Sequence, residues 1–174
     1  TPKADVQIAA ALLFSSTSMN YDQCRKQAAK LSPRDMKGLF KTALQNAKSY
    51  DAVLREFENV DLLFEMSVSA SCFAQLKRHR MAMVIVQDYD PALRATVPPS
   101  VKAIGRQKEF LQVMAQTNAV YHRIYEKNPA AAAYVLTNAH RRRVLLKLNA
   151  REMYHLARLR SDAHAQWDIR LLSD

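Results

Sequence analysis

Residues 64–72, FEMSVSASC, alternate strictly: Phe64, Met66, Val68, Ala70 and Cys72 are apolar, with Glu65, Ser67, Ser69 and Ser71 between them. Successive side chains of a strand point to opposite faces, so this spacing predicts a half-buried strand with the serines on its wet face. Most of the chain has a helical period instead. Ser32, Pro33, Arg34 and Asp35 read as an N-cap, a proline at the first helical position and an acid at the third, and Met36, Leu39, Phe40, Ala43 and Leu44 follow at helical spacing. Beyond Gly105, Phe110, Met114, Tyr121 and Ile124 form a second helical stripe that stops before Pro129. Residues 73–80 lose the alternation and predict a short helix; Val84, Ile85 and Val86 are β-branched and predict another strand. The stretch holding Pro91, Pro98 and Pro99 reads as a loop, and two further helical stretches fill most of the remainder. No internal repeat is present. The expected class is α+β, a small mixed sheet packed with several long helices.

Composition narrows the chemistry. At 174 residues and 49% hydrophobic, the chain suits a single domain over residues 1–174. Its start at Thr1 and its end at Asp174, just after a strongly helical pattern, fit a piece of something longer. No apolar run reaches the roughly 18 residues of a membrane helix, and no basic-then-apolar signal opens the chain, so a soluble protein is expected. Cys24 and Cys72 are too few for a disulfide scaffold and fit a reducing cytoplasm. The five histidines have neither paired cysteines nor an HExxH spacing, which argues against a metal site. A net charge of +10 calls for an anionic partner. With only Gly38 and Gly105 there is no Walker loop and no GxGxxG, so any phosphate must meet side chains or helix ends.

Two features concentrate that charge. Lys77, Arg78, His79 and Arg80 form a cationic knot that runs straight into the apolar residues 81–86, where Met81 and Met83 read as core filling. Near the C-terminus, Asn149, Met153, Leu156, Arg160 and Trp167 share one stripe if residues 149–170 are helical, so Arg160 interrupts an inward-facing surface. A guanidinium there must snorkel, pair with Asp162 or Asp168, or face a cavity that holds a polar ligand.

Gln75 with the RHR of Arg78, His79 and Arg80, NAR at Asn149, Ala150 and Arg151, LR at Leu159 and Arg160, and HAQWDIR at residues 164–170 occur in an order and spacing that resembles the flavin-dependent thymidylate synthases. The resemblance covers roughly residues 57–170. It implies a mixed α/β subunit in a homotetramer with sites at subunit interfaces. It also implies bound FAD, NADPH as reductant, and transfer of a methylene group from methylenetetrahydrofolate to carbon 5 of dUMP. Carried over by position, Arg78, His79, Arg80, Asn149 and Arg151 contact FAD, and His155 lies near the flavin. Gln75 and Arg160 face the nucleotide, where Arg160 stabilises negative charge on the uracil ring.

The departures fall in the nucleotide half. The family follows RHR with a serine, flanked by an asparagine-glutamate and an arginine that hold the phosphate; here Val86 stands near the glutamate, Asp88 or Tyr89 at the serine and Asp90 near the arginine. Two acids set like charge against a dianion. A further family arginine corresponds to Ala133, its leucine-proline to Leu136 and Thr137, and its glutamate-histidine to Glu58 and Asn59, with no glycine-histidine before them. Arg94 can replace the lost arginine only if the loop is shifted. Three functions follow: a uridylate methylase acting on dUMP or a relative such as UMP; a degenerate paralogue acting as a structural or regulatory subunit; and, least favoured, a basic helical nucleic-acid binder using His140, Arg141, Arg142, Arg143, Lys147 and Arg151.

Overall fold

The computed structural model describes residues 2–48 and 50–174. Among these, the helices are α1 (Pro2–Ser16), α2 (Tyr21–Ala28), α3 (Pro33–Ala43), α4 (Ala70–Leu76), α5 (Pro99–Ala103), α6 (Gln107–Tyr125), α7 (Pro129–Ala132), α8 (Ala150–Arg160) and α9 (Trp167–Ser173). The strands are β1 (Asp61–Ser69), β2 (Met83–Val86) and β3 (Arg141–Asn149), and they form one sheet in the order β1-β3-β2. The chain is therefore α+β, as its mixed periodicity implies. No helix among the described residues is long and apolar enough to cross a membrane.

Two compact units divide the chain, one running to Leu63 and including Lys147–Leu159, the other made of Phe64–Leu146 and Arg160–Asp174. In the first unit the helix starts follow their sequence signals. Ser32 accepts from the Asp35 amide at the head of α3, and Asn20 forms a reciprocal capping box with Gln23 on α2. Ala9, Ala10, Cys24 and Ala28 are fully buried where α1 meets α2, and Ile8, Leu12 and Val60 form a second core cluster with Phe40 and Phe57 packed against it. The Asn59 side chain ties this unit together by donating to the Gln7 carbonyl at 3.2 Å and the Tyr21 hydroxyl at 2.8 Å.

The second unit is built around the junction of β1 and α4. β1 ends at Ser69, three residues before the expected Cys72, because Ser69 is the N-cap of α4: its hydroxyl accepts from the Cys72 amide at 3.0 Å. Having accepted there, the hydroxyl donates to the Asp168 carboxylate at the start of α9. Ser69 is thus 2% exposed rather than on the wet face of the strand, and Ser71 lies within the helix. Leu76 and Ile169, both fully buried, anchor α4 and α9. Across the unit His140 is 1% exposed; its Nδ1 accepts from the Thr137 amide at 2.9 Å, and its Nε2 meets Asn118 Oδ1 at 2.8 Å.

Several expectations need correction. Residues 141–149, taken as helical, are strand β3: Val144, Leu146 and Leu148 are buried at alternate positions, a period of two and not of 3.6. The proline-rich stretch carries a 3-10 turn at Pro91–Leu93 and helix α5. The stripe from Asn149 to Trp167 is not one helix, because residues 161–166 separate α8 from α9, and Met153 is 40% exposed. Met81 and Met83 are exposed at 80% and 40%, so neither fills the core.

These contacts set two expectations. Ser69→Ala removes a cap and leaves the Asp168 carboxylate without its donor, which costs about 1–2 kcal/mol; the urea midpoint should fall accordingly, and an unchanged midpoint overturns the account. Burial holds His140 below its ordinary value of 6.5. The folded state therefore favours the neutral ring. Its contribution is complete above pH 6.5, where the unfolded ring is also neutral, and is lost as pH falls through the lowered native value. Unfolding should take up a proton in that window, and the pH dependence of the midpoint between about pH 7.5 and 5 should flatten in His140→Leu.

Candidate functional site

Five expected site residues, Gln75, Arg78, His79, Arg80 and Arg160, lie at the C-terminal end of α4. The helix stops at Leu76, and Lys77 caps it by closing on the Phe73 carbonyl at 2.9 Å. The chain then curls back, with the Arg78 amide on Gln75 O at 3.3 Å and the His79 amide on Leu76 O at 3.1 Å. That turn buries His79 to 5% exposure and leaves Arg78 and Arg80 exposed on either side of it. The cationic knot is thus split by burial, its imidazole inside and its guanidinium groups outside.

Arg160, the last residue of α8, reaches this turn. Its Nε donates to His79 Nε2 at 3.0 Å, one terminal nitrogen donates to Gln75 Oε1 at 3.3 Å, and the other donates to the Gln75 carbonyl at 3.2 Å. Since His79 Nε2 accepts, a neutral ring carries its proton on Nδ1. The half-buried guanidinium therefore neither snorkels nor pairs with the two aspartates proposed for it. Asp168 serves Ser69, and Asp162 accepts from the His164 amide and ring instead.

The other group lies in the first unit. Asn149 ends β3 and caps α8, its Oδ1 accepting from the Glu152 amide at 2.8 Å. Arg151 donates to the Val53 carbonyl at 2.8 Å and to Glu58 at 2.7 Å. Arg55 and then Arg151 hold the Glu58 carboxyl below its ordinary value. Glu58, which the resemblance sets at a family glutamate, is this guanidinium's counterion. His155 Nδ1 lies 3.4 Å from Arg158, whose guanidinium also donates to the Asp51 carbonyl at 3.2 Å.

Arg94 is not part of either group. It is exposed, and its backbone sits at φ 64°, ψ 179° where the 3-10 turn ends, a region nearly reserved for glycine. Beside it, β3 contributes residues that the sequence reading assigned to another role. The Gln87 amide bonds to Arg143 O at 3.0 Å and the Asp90 amide to Arg141 O at 3.2 Å, so the arginine run lies alongside residues 87–90. Arg142 shares the register of buried Val144, and its guanidinium carbon stands 4.8 Å from the centre of the Phe73 ring and 4.5 Å from that of Tyr89. The signal was present in the alternation of Val144, Leu146 and Leu148, which extends back to Arg142.

The strand also removes the proposed nucleic-acid face. His140 is buried, Lys147 is paired with Asp61 at 2.7 Å and Arg151 with Glu58, so these side chains do not form one free cationic stripe. A cavity of about 360 Å³, lined in part by Ser69, Thr96, Phe110, Met114, Trp167 and Asp168, lies at the opposite end of α4 from the knot.

Against known proteins, residues 1–174 match the family model described as thymidylate synthase complementing protein. The chain is 29% identical over 182 residues to the flavin-dependent thymidylate synthase of Geobacter sulfurreducens, which covers 99% of this chain and 74% of that protein. It is 30% identical over 152 residues to the enzyme of the same name from Halobacterium salinarum, covering 68% of this chain and 62% of that one. Among solved structures, the UMP/dUMP methylase PolB from Streptomyces cacaoi, bound with 5-Br dUMP, superposes with a TM-score of 0.71 at 15% identity, over 97% of this chain and 81% of that one, a likeness of fold. With its RHR, NAR and HAQWDIR segments on these elements and a match along its whole length, the chain belongs to the thymidylate synthase complementing protein family.

Proposed function

We propose that the chain is a flavin-dependent uridylate methylase. It methylates carbon 5 of a uridine nucleotide, dUMP or a relative such as UMP, with methylenetetrahydrofolate as one-carbon donor, FAD as cofactor and NADPH as reductant. The observation that carries this reading is the seating of Arg160 on His79 and Gln75.

Carbon 5 of a uracil must act as a nucleophile to accept a one-carbon unit, and negative charge then develops on the ring. One way to raise it is a covalent bond from a cysteine thiolate. Neither cysteine here suits that role: Cys24 is fully buried, and Cys72 is 1% exposed with its thiol pushed up to about 12 by burial and by the nearby Asp168. A fixed cation is the remaining device. Arg160 spends one hydrogen on each of its three nitrogens on neutral acceptors, and keeps one on each terminal nitrogen for a ligand oxygen. Held from behind in this way, it meets the developing charge without having to reorganise.

The cofactor's chemistry fits the donors present. Arg78 and Arg80 are exposed cations without an acid partner among the described residues, which suits a pyrophosphate. Asn149 uses its carbonyl oxygen on Glu152 and keeps its amide hydrogens available, whereas Arg151 is largely committed to Val53 and Glu58. Under this reading Arg78, His79, Arg80, Asn149, Arg151 and His155 serve FAD, Gln75 and Arg160 serve the nucleotide, and the working form is a homo-oligomer of the family's tetrameric kind. The bound flavin, once reduced, supplies the hydride equivalent that turns a transferred methylene into a methyl group.

The test is the visible spectrum after incubation with FAD, followed by turnover with dUMP and with UMP. A flavin spectrum and methylation of one nucleotide are expected. In Arg160→Ala, methylation should fall by roughly a hundredfold or more while the flavin spectrum is retained; turnover close to that of the unaltered protein would remove Arg160 from its role. A chain that binds no FAD and methylates neither nucleotide would leave the retired-subunit alternative.

A further inference from the structure

Charge in the nucleotide loop is balanced from outside the loop. By the resemblance, Asp88 or Tyr89 and then Asp90 stand where the family places phosphate donors, yet Asp90 turns its Oδ1 onto the Ala92 amide at 2.8 Å and caps the 3-10 turn. The cations alongside come from β3. Arg141 donates its Nε to Thr96 at 2.7 Å, and Arg143 reaches Gln87 Oε1 only at 3.4 Å. Arg142 differs from both, because its register points it to the same side of β3 as Val144, Leu146 and Leu148.

A guanidinium at such a position needs a reason to be there. Arg142 has its Nε bonded to the Gln87 carbonyl at 2.7 Å and the aromatic rings of Phe73 and Tyr89 against it. Aromatic contacts compensate part of the cost of removing the cation from water and fix the plane of the group. Both rings stand against the guanidinium carbon, and only the Nε hydrogen is spent on a carbonyl. Neither terminal nitrogen has a protein acceptor among the described residues, so up to four N–H donors stay presented in a fixed plane. This is the geometry that grips two oxygens of a phosphate at once. Tyr89 also lines a cavity of about 140 Å³ with Ala133, Thr137 and Asn138. A water molecule occupies about 30 Å³, so that space suits a tetrahedral anion, and the small Ala133 keeps it open.

We propose that Arg142, clamped by Phe73 and Tyr89, is the cation that receives the phosphate monoester of the nucleotide. This rests on the uridylate reading above and adds a specificity residue that the motif-bearing segments do not contain. Charge supplied from β3 replaces charge lost from the loop, and the phosphate then meets a fork of donors although Asp88 and Asp90 stand nearby.

The test is equilibrium binding, by calorimetry on the full chain saturated with FAD, of dUMP and of deoxyuridine, which lacks only the phosphate. The unaltered protein should prefer dUMP by roughly tenfold or more. Arg142→Gln should weaken dUMP by most of that factor and leave deoxyuridine unchanged, and Arg142→Lys, which keeps the charge but not the planar fork, should fall between. If Arg142→Gln does not fold, Tyr89→Leu decides: it frees the guanidinium without deleting it and should weaken dUMP alone. Equal affinity of the unaltered protein for both ligands, binding of neither, or dUMP binding to Arg142→Gln within about twofold of the unaltered protein overturns the proposal. Phosphate-dependent binding without methylation would overturn the methylase function and leave this assignment standing; methylation with dUMP affinity indifferent to Arg142 would do the reverse.

Discussion

The contact on which the site depends is the guanidinium of Arg160 held by Gln75 and His79. It joins the end of α8 to the turn that follows α4 and occupies Nε2 of the buried histidine. At the other end of α4, the Ser69 hydroxyl donates a hydrogen bond to the Asp168 carboxylate. Arg160 and Asp168 belong to the same C-terminal segment, so one stretch of chain grips α4 at its head and at its tail, with Leu76 and Ile169 buried between the two grips. Hydrogen bonds to a charged partner contribute about 1.5–3 kcal/mol each, and here they are spent on the orientation of one short helix. A seven-residue helix has little stability of its own, so its direction has to come from such tertiary contacts.

The strongly basic composition resolves into two kinds of cation. Lys147 and Arg151 are matched to Asp61 and Glu58 and serve the first unit. Among the described residues Arg78 and Arg80 have no such match, and Arg142 is matched only to two aromatic rings and a carbonyl. Net charge measures the excess but not where it is left over. The positions left over are those a phosphate-bearing ligand can use, because a cation already paired with a carboxylate offers an incoming anion much less.

Much of this was legible in the chain, for identifiable reasons. The α3 start was readable because Ser32, Pro33 and Asp35 act within one turn of the backbone, where sequence neighbours are spatial neighbours. The RHR knot was placed at a helix end because the alternation stops before it. The end of β1 was missed because a serine serves equally as the wet residue of a strand and as a helix cap, and its donor and acceptor partners decide which; one of those, Asp168, lies far along the chain. β3 was missed because three arginines and a lysine mask a period-two pattern carried by Val144, Leu146 and Leu148. Arg160 was turned inward by a wheel that was itself wrong at Met153 and beyond Arg160, and its partners could not be read from a stripe, since Gln75 and His79 are more than eighty positions away.

The choice among the three fates open to Arg160 has a functional consequence. Had it paired with Asp162 or Asp168, the carboxylate would have cancelled most of its field at the distances of a bound ligand, and a structural ion pair would have been all it could be. Had it snorkelled, water would have screened it. The acceptors it has are a carboxamide, a carbonyl and an imidazole nitrogen, and none carries negative charge while the ring is neutral. They fix the plane of the guanidinium and leave its full positive charge uncompensated in a half-buried setting. A group so held is costly to fold, and the cost is recovered only when negative charge arrives beside it. Under the proposed function, that charge is the one that develops on a uracil ring as it accepts a one-carbon unit.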